Sequence, residues 1–190
     1  RLVGQHAQLK NAPADIAAIP RPRLGFFGLI RDWVDLDLHA EVARRRPDWH
    51  IVLLGDSTVD LSPYRSIQNI HFLGRKPYAD LPAYCRQFDV GLIPFKVNEL
   101  TRSVNPIKLR EYLAAGLPVV STPLPEVKHY ERLANLADGP EAFVQRIAAG
   151  LNGQAGVSMR NARVEAMAHE TWPTKMEGLS KALSPSYGVV

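Results

Sequence analysis

The chain has 190 residues, 46% of them hydrophobic and 22% charged, enough for one well-packed core and too few for two ordinary domains with a linker. Gly 13 and Pro 15 lie near average usage, which excludes collagen-like and low-complexity chains, and the apolar fraction argues against wholesale disorder. Lys+Arg 23 against Asp+Glu 19 gives a net charge of +4, an excess that suits phosphate ligands, anionic lipid or nucleic acid without selecting among them.

One cysteine, Cys85, cannot form an internal disulfide and lacks the companions of a zinc site, so a reducing compartment is expected and a structural metal is not. No run approaches the roughly 18 consecutive apolar residues of a membrane span, and the N-terminus lacks a basic-then-apolar signal pattern. A soluble, cytoplasmic protein is the expectation. The sequence opens at Arg1 rather than methionine, which suggests a piece of a longer chain.

In chain order, residues 1–22 hold three prolines and a short apolar pattern, which reads as a linker with the packed fold beginning near Arg23. A strand is expected at RLGFFG, a helix within Asp35 to Arg46, strands at HIVLLG and NIHFLG, and a helix around Tyr78 to Gln87. There follow a strand at DVGLIPF, a helix from Pro106 to Ala115, a strand at PVVST, a weaker one at LANLA and a helix from Pro140 to Leu151. Strands that are apolar throughout are buried on both faces, and their alternation with helices implies a parallel sheet with crossover helices, a doubly wound α/β domain. Asn161 to Ala168 reads as helical, HETWP as a break and Thr174 to Leu183 as a last helix. The domain is therefore drawn over residues 23–183, with 184–190 as a tail.

Open parallel sheets hold ligands beyond the carboxyl ends of their strands. The segments to weigh follow Phe27-Gly28, Leu54-Gly55, Leu73-Gly74, Pro94-Phe95 and Ser121-Thr122. Three of these strands run into glycine, which suits close approach of backbone to a ligand and equally plain strand termination. The first strand continues as Gly28-Leu29-Ile30-Arg31-Asp32-Trp33 and so fails the dinucleotide fingerprint; no P-loop, G-x-S-x-G elbow or H-E-x-x-H pair occurs either. A receiver domain would need acids at the end of the first strand, where Phe26 and Phe27 stand.

The richest segment is FKVNELTRSVNPIKLREYLAAGLPVVSTPLPE. Asn105 suits an N-cap, Pro106 the first helical position, Gly116 the left-handed position after the last turn, and Pro118 stops the helix. The helix start then points unpaired N–H groups and the positive end of its dipole at the ligand edge, a setting that favours phosphate. Lys108 in the first turn opposes that dipole unless an anion lies nearby. Glu111, three residues on, shares its face. Chemistry alone leaves two readings, an anion site and a solvated Lys108–Glu111 pair worth a few tenths of a kcal/mol.

The string KLREYLAAGLPVVST resembles the signature segment of glycosyltransferases of the GT-B fold, in particular the retaining family 4 or group 1 type. RLGFFG and HIVLLG match that family's first two strands, NIHFLGRKPYADLPAYCRQFDVGLIPF its next stretch, and the late HETW its terminal crossover region, over roughly residues 23 to 183. The resemblance implies the C-terminal, donor-binding half of a two-domain enzyme, with an N-terminal acceptor-binding domain as its missing partner. It also implies an NDP-sugar donor such as UDP-sugar, transfer of the sugar in polysaccharide or glycoconjugate synthesis, and no metal cofactor. Nucleic acid has only the net charge of +4 in its favour and is not expected as a partner, while peripheral contact of the full-length protein with the inner face of the membrane stays open.

Carried over residue by residue, Glu111 matches the family glutamate that accepts hydrogen bonds from the donor ribose, a task suited to two acceptor oxygens. Lys108, with the backbone amides near Ile107, Lys108 and Leu109, would face the diphosphate, and Arg31 would be the second phosphate ligand, so Arg31, Lys108 and Glu111 form the expected catalytic set. Gly28, Gly74, Arg75 and Lys76 would line the donor, the last three around the base. The family's arginine after the first-strand glycine is Leu29 here, and the position eight before Glu111, often a glutamate, is Ser103. Glu99, beside Asn98, Thr101 and Asn105, is the candidate replacement for that sugar contact, and solvated loop charges are the alternative for Glu99 and Arg102. These departures keep open a second class of function: a non-catalytic nucleotide- or partner-binding module with a degenerate site. An isolated copy is expected to turn over little. Trp33, Trp49 and Trp172 read as packing residues and Arg44 to Arg46 as a basic helix end or a membrane-facing patch; Asp56, Asp60 and Glu126 stand in candidate ligand-edge loops, where turn-forming and capping duties explain the aspartates at least as well.

Overall fold

The structure, a computed structural model, describes residues 12–153 and 156–168. Its six strands are β1 (Arg23–Phe27), β2 (His50–Leu54), β3 (Ile70–Gly74), β4 (Val90–Ile93), β5 (Val119–Ser121) and β6 (Asn135–Leu136). They form one parallel sheet in the order β3-β2-β1-β4-β5-β6. The helices are α1 (Ala14–Ala17), α2 (Leu36–Arg45), α3 (Leu81–Cys85), α4 (Glu99–Arg102), α5 (Ile107–Ala114), α6 (Pro125–Lys128), α7 (Gly139–Leu151) and α8 (Gly156–Ala168). The expected doubly wound α/β domain is present. Every residue of β1 and β4 is buried, as the unbroken apolar runs require of strands covered on both faces. The strand order reverses between β1 and β4, and the crevice beyond their carboxyl ends is where such a sheet takes a ligand.

Tyr112 on α5 fastens that helix to the crevice. Its ring is fully buried, stands edge-on to Phe27 at 4.9 Å, and its hydroxyl donates to the Gly25 carbonyl at 3.1 Å while accepting from the Phe27 amide at 3.3 Å. Gly91 on β4 leaves the space: a Cβ there would come within 2.7 Å of the Tyr112 ring. Leu109 and Leu113, also fully buried, complete the inward face of α5. α2 starts at Asp35, whose side chain accepts from the Leu38 amide at 2.9 Å, and ends in Arg44 and Arg45, the basic last turn expected of it.

Several boundaries differ from the sequence reading. The first 22 residues are not all linker: Ile16 and Ile19 are buried in the core, Asp15 pairs with Lys76 at 2.7 Å, and the buried Arg23 donates to the Ile19 and Ala17 carbonyls. The apolar spacing in ADIAAI was too short to be read as a helix, yet two isoleucines suffice once the sheet offers a surface. The helix expected around Tyr78 to Gln87 is a 3₁₀ turn, Tyr78–Asp80, followed by α3. A short helix, α4, occupies what was read as loop, and α8 begins ahead of Asn161. Trp172, HETWP, the helix expected at Thr174 to Leu183 and the tail lie outside the described residues. Trp49 and Cys85 are buried as expected.

Candidate functional site

The site is assembled at the reversal of the sheet. Lys108, in the first turn of α5, places its Nζ 4.9 Å from the ring centroid of Phe26 on β1 and 4.9 Å from that of Phe95, which follows β4. The ammonium thus lies over two aromatic faces, an attractive position for a cation. Gly28 makes the room, since a Cβ there would come to 3.2 Å from Nζ, and its φ of 125° is one that side chains disfavour. Burial holds the Lys108 ammonium down at about 8, against the upward pull of Glu111. No ion pair among the described residues includes it, so the solvated Lys108–Glu111 pair is not what the structure shows.

Glu111 stands one turn further along α5, fixed from behind by its neighbour Tyr112. The Tyr78 hydroxyl donates to its Oε1 at 3.0 Å. Burial raises the Glu111 carboxyl pKa, while that hydroxyl and the Lys108 charge oppose the rise. Tyr78 is 60% exposed and was not among the residues singled out from the sequence. The signal was available: it is an aromatic in a loop that leaves the carboxyl end of a strand, where packing has no use for it.

The start of α5 corrects two expectations. Pro106, not Asn105, occupies the cap position, and the Asn105 side chain accepts from the Arg110 guanidinium instead. Proline carries no N–H, and its extended backbone turns Asn105 aside. The Leu109 amide donates to the Pro106 carbonyl at 2.9 Å and its side chain is fully buried, so Leu109 offers nothing to a donor. Among the described residues, no backbone carbonyl accepts from the Ile107 or Lys108 amides, which remain as the donors that an eight-residue helix directs at the crevice.

Around this centre lies a cavity of about 240 Å³ between the loops after β1, β2 and β3, lined by Gly28, Leu29, Gly55, Asp56, Arg75 and Lys76 among others. Gly55 is required, because a Cβ there would meet the Gly28 carbonyl oxygen at 2.0 Å. Gly74 turns the chain with φ 68° into the exposed Arg75, which lies 3.7 Å from Asp56. Lys76 lines the cavity while its ammonium pairs with Asp15 and lies 5.5 Å from the Tyr84 ring centroid. Arg31 is exposed, its guanidinium 5.2 Å from the Trp33 ring centroid, and no contact among the described residues joins it to Lys108 or Glu111. Glu99 opens α4 and Ser103 closes it, both exposed. Asn98 and Thr101, expected beside Glu99 at the donor, instead cap α4 reciprocally, each side chain accepting from the other's amide at 2.9 Å. Asp60 accepts from the Ser62 amide, the turn duty that was its alternative reading, and Glu126 pairs with Arg110 at 2.7 Å.

Comparison with known proteins matches this geometry to a family. Residues 21–153 match the family described as glycosyl transferases, group 1. A Bacillus subtilis protein named for teichuronic acid biosynthesis, a glycosyltransferase, is 34% identical over 113 residues, which are 57% of this chain and 28% of that protein. Among solved structures, a sucrose-phosphate synthase from Thermosynechococcus elongatus superposes with a TM-score of 0.67 at 17% identity, covering 90% of this chain and 49% of that one. The Anabaena protein HepE in complex with UDP gives 0.62 at 14% identity, covering 95% and 54%. The chain therefore spans a quarter to a half of the length of these relatives. It belongs to the group 1 glycosyltransferases and carries one Rossmann-like domain of their GT-B architecture.

Proposed function

We propose that this chain is the donor-binding domain of a retaining glycosyltransferase that transfers a sugar from a nucleoside-diphosphate sugar to an acceptor held by a further, N-terminal domain. The observation that carries the reading is Lys108: a partly buried ammonium at the reversal of the sheet, without an ion-pair partner among the described residues, beside the open amides of α5. An isolated buried cation is costly, and a diphosphate anion is the partner that offsets this cost. The complex of HepE with UDP and the teichuronic acid relative support a UDP-sugar donor and a role in polysaccharide synthesis.

When the bond from the sugar to the diphosphate breaks, negative charge grows on the departing phosphate oxygens. Lys108 and the Ile107 and Lys108 amides are placed to stabilise that charge, and dipoles fixed in advance need no reorganisation as it develops. The reaction so drawn asks for no metal. Glu111 would accept from the ribose hydroxyls, with the base toward the cavity beside Arg75 and Gly74. Arg31 reaches a phosphate by leaving Trp33, and Glu99 is the acidic group left for the donor sugar. No helix among the described residues is long and apolar enough to cross a membrane; we place the enzyme in the cytoplasm, reaching a membrane acceptor from its inner face.

Titration of UDP, GDP and ADP against the chain by calorimetry tests the reading. One of them binds in the micromolar to millimolar range, and Lys108→Ala and Glu111→Ala each weaken it about tenfold. Failure of all three at millimolar concentration would sink the proposal and favour a degenerate module.

A further inference from the structure

Tyr78 and Glu111 come from different elements, one from the 3₁₀ turn after β3 and the other from α5, and meet through a single hydrogen bond of 3.0 Å. Tyr78 is 60% exposed, so packing does not explain its position; the carboxylate is the partner its hydroxyl finds. A glutamate side chain turns easily about its last bond, where the energy wells are broad. A hydroxyl held on Oε1 restrains that rotation and leaves Oε2, with both its lone pairs, available to a ligand.

We propose that Tyr78 is a positioning residue that orients the Glu111 carboxylate and thereby sets how strongly the site distinguishes a ribose from a sugar lacking its hydroxyls. The proposal rests on the ribose-binding reading of Glu111 and deepens it: the specificity lies in a clamp of two residues. The competing role for the same hydrogen bond is a cap, in which the phenol occupies the place of a ribose hydroxyl and must leave before the nucleotide enters. Clamp and cap have opposite consequences when the hydroxyl is removed.

The test compares dissociation constants for UDP and 2′,3′-dideoxy-UDP, measured by calorimetry on the wild-type chain, Tyr78→Phe and Glu111→Ala. The wild type prefers UDP about tenfold or more, the yield of one to two hydrogen bonds to a charged acceptor. Glu111→Ala removes the preference. Tyr78→Phe lowers it about fivefold by weakening UDP while leaving the dideoxy ligand unchanged, with an unaltered melting temperature because the ring is exposed.

A Tyr78→Phe variant that keeps the full preference, or that binds both ligands more tightly by the same factor, overturns the clamp, the second result in favour of the cap. Should Glu111→Ala preserve the preference, or the wild type bind neither ligand, the ribose reading itself fails and the clamp with it. Loss of preference in Glu111→Ala together with full preference in Tyr78→Phe refutes the clamp alone.

Discussion

The two edges of the sheet use charge in opposite ways. At the edge where strands begin, polar groups are committed to the fold: Asn69 donates to the Ala43, Arg46 and Trp49 carbonyls at 3.0, 3.2 and 2.8 Å. Arg46 lies 3.9 Å from the Trp49 ring centroid and pairs with Asp48, and the Asp89 carboxylate takes the Arg23 amide at 2.7 Å. At the edge where strands end, the Lys108 ammonium has two aromatic rings; among the described residues it has no carboxylate within ion-pair distance and the Ile107 and Lys108 amides have no backbone acceptor, while Glu111 holds one phenol. Charge is matched where the domain needs only to stand; at the ligand edge it is matched in the rim, by Lys76–Asp15 and Arg75–Asp56, and withheld at the head of α5. Substitutions should therefore separate cleanly, stability on one edge and affinity on the other.

The largest expected effect links the two, because the binding edge contains the acid weak point of the fold. His39 on α2 is buried edge-on to Phe26, whose ring also lies beneath Lys108; its Nδ1 meets the Asp35 carbonyl at 2.9 Å and its Nε2 has no hydrogen-bond partner among the described residues. Burial lowers its pKa from 6.5 to about 4. The unfolded chain thus binds more protons between those values, and stability falls as pH drops from about 6.5 toward 4. The full loss is about 3 kcal/mol from this residue at about 1.36 kcal/mol per unit. Urea midpoints at pH 7 and pH 4.5 read it, and His39→Gln, which cannot be charged, flattens the dependence.

On the other edge, Asn69→Ala takes its donor from the Ala43 and Trp49 carbonyls in buried bonds, while the Arg46 carbonyl keeps the Trp49 amide, and lowers stability by about 2 kcal/mol. Because Asn69 lies at the far end of the strands, the dissociation constant for UDP should not move. A change in affinity beyond about threefold would show that the edges are coupled through the sheet.

Lys108→Met reverses the pattern. Removing the ammonium costs nucleotide affinity about thirtyfold, the worth of a charge-assisted bond of about 2 kcal/mol. Stability rises or stays level, because a dehydrated cation without an ion-pair partner is replaced by an apolar side chain of similar length that keeps its place between Phe26 and Phe95. A destabilised variant would mean that Lys108 holds the fold together, and the contrast between the edges would fail.

How far the sequence foretold this contrast follows from what local pattern can carry. The strands were legible because burial on both faces writes them as unbroken apolar runs, and α5 because Pro106 and Gly116 bracket it. Lys108 and Glu111 followed from their place on that helix. The Pro106 cap was not legible, since Asn105 has the better capping chemistry on paper and is lost to Arg110, a partner five residues along the chain. The Lys76–Asp15 pair was not legible either, since Asp15 lies in a segment whose prolines read as linker. Tyr78 was missed because its role exists only across two elements: the loop after β3 and α5 meet in space and nothing in either string announces the other.

The smallest effect is also the sharpest probe of the withheld charge. Lys108 keeps its proton up to about pH 8 in the free domain, well below its ordinary value of 10.5. The unfolded state binds the extra proton between those values, so this group's penalty on stability is present at pH 7 and relieved as pH rises through 8 toward 10.5. Nucleotide binding has the opposite sign: a diphosphate stabilises the charged form, so affinity is greatest below pH 8 and declines above it. Between pH 7 and pH 9 the dissociation constant for UDP should rise about tenfold, since the charged fraction falls from about nine-tenths to about one-tenth over that span. In Lys108→Met the same measurement should be flat. A tenfold decline that survives the substitution would assign the proton to another group and remove Lys108 from the phosphate.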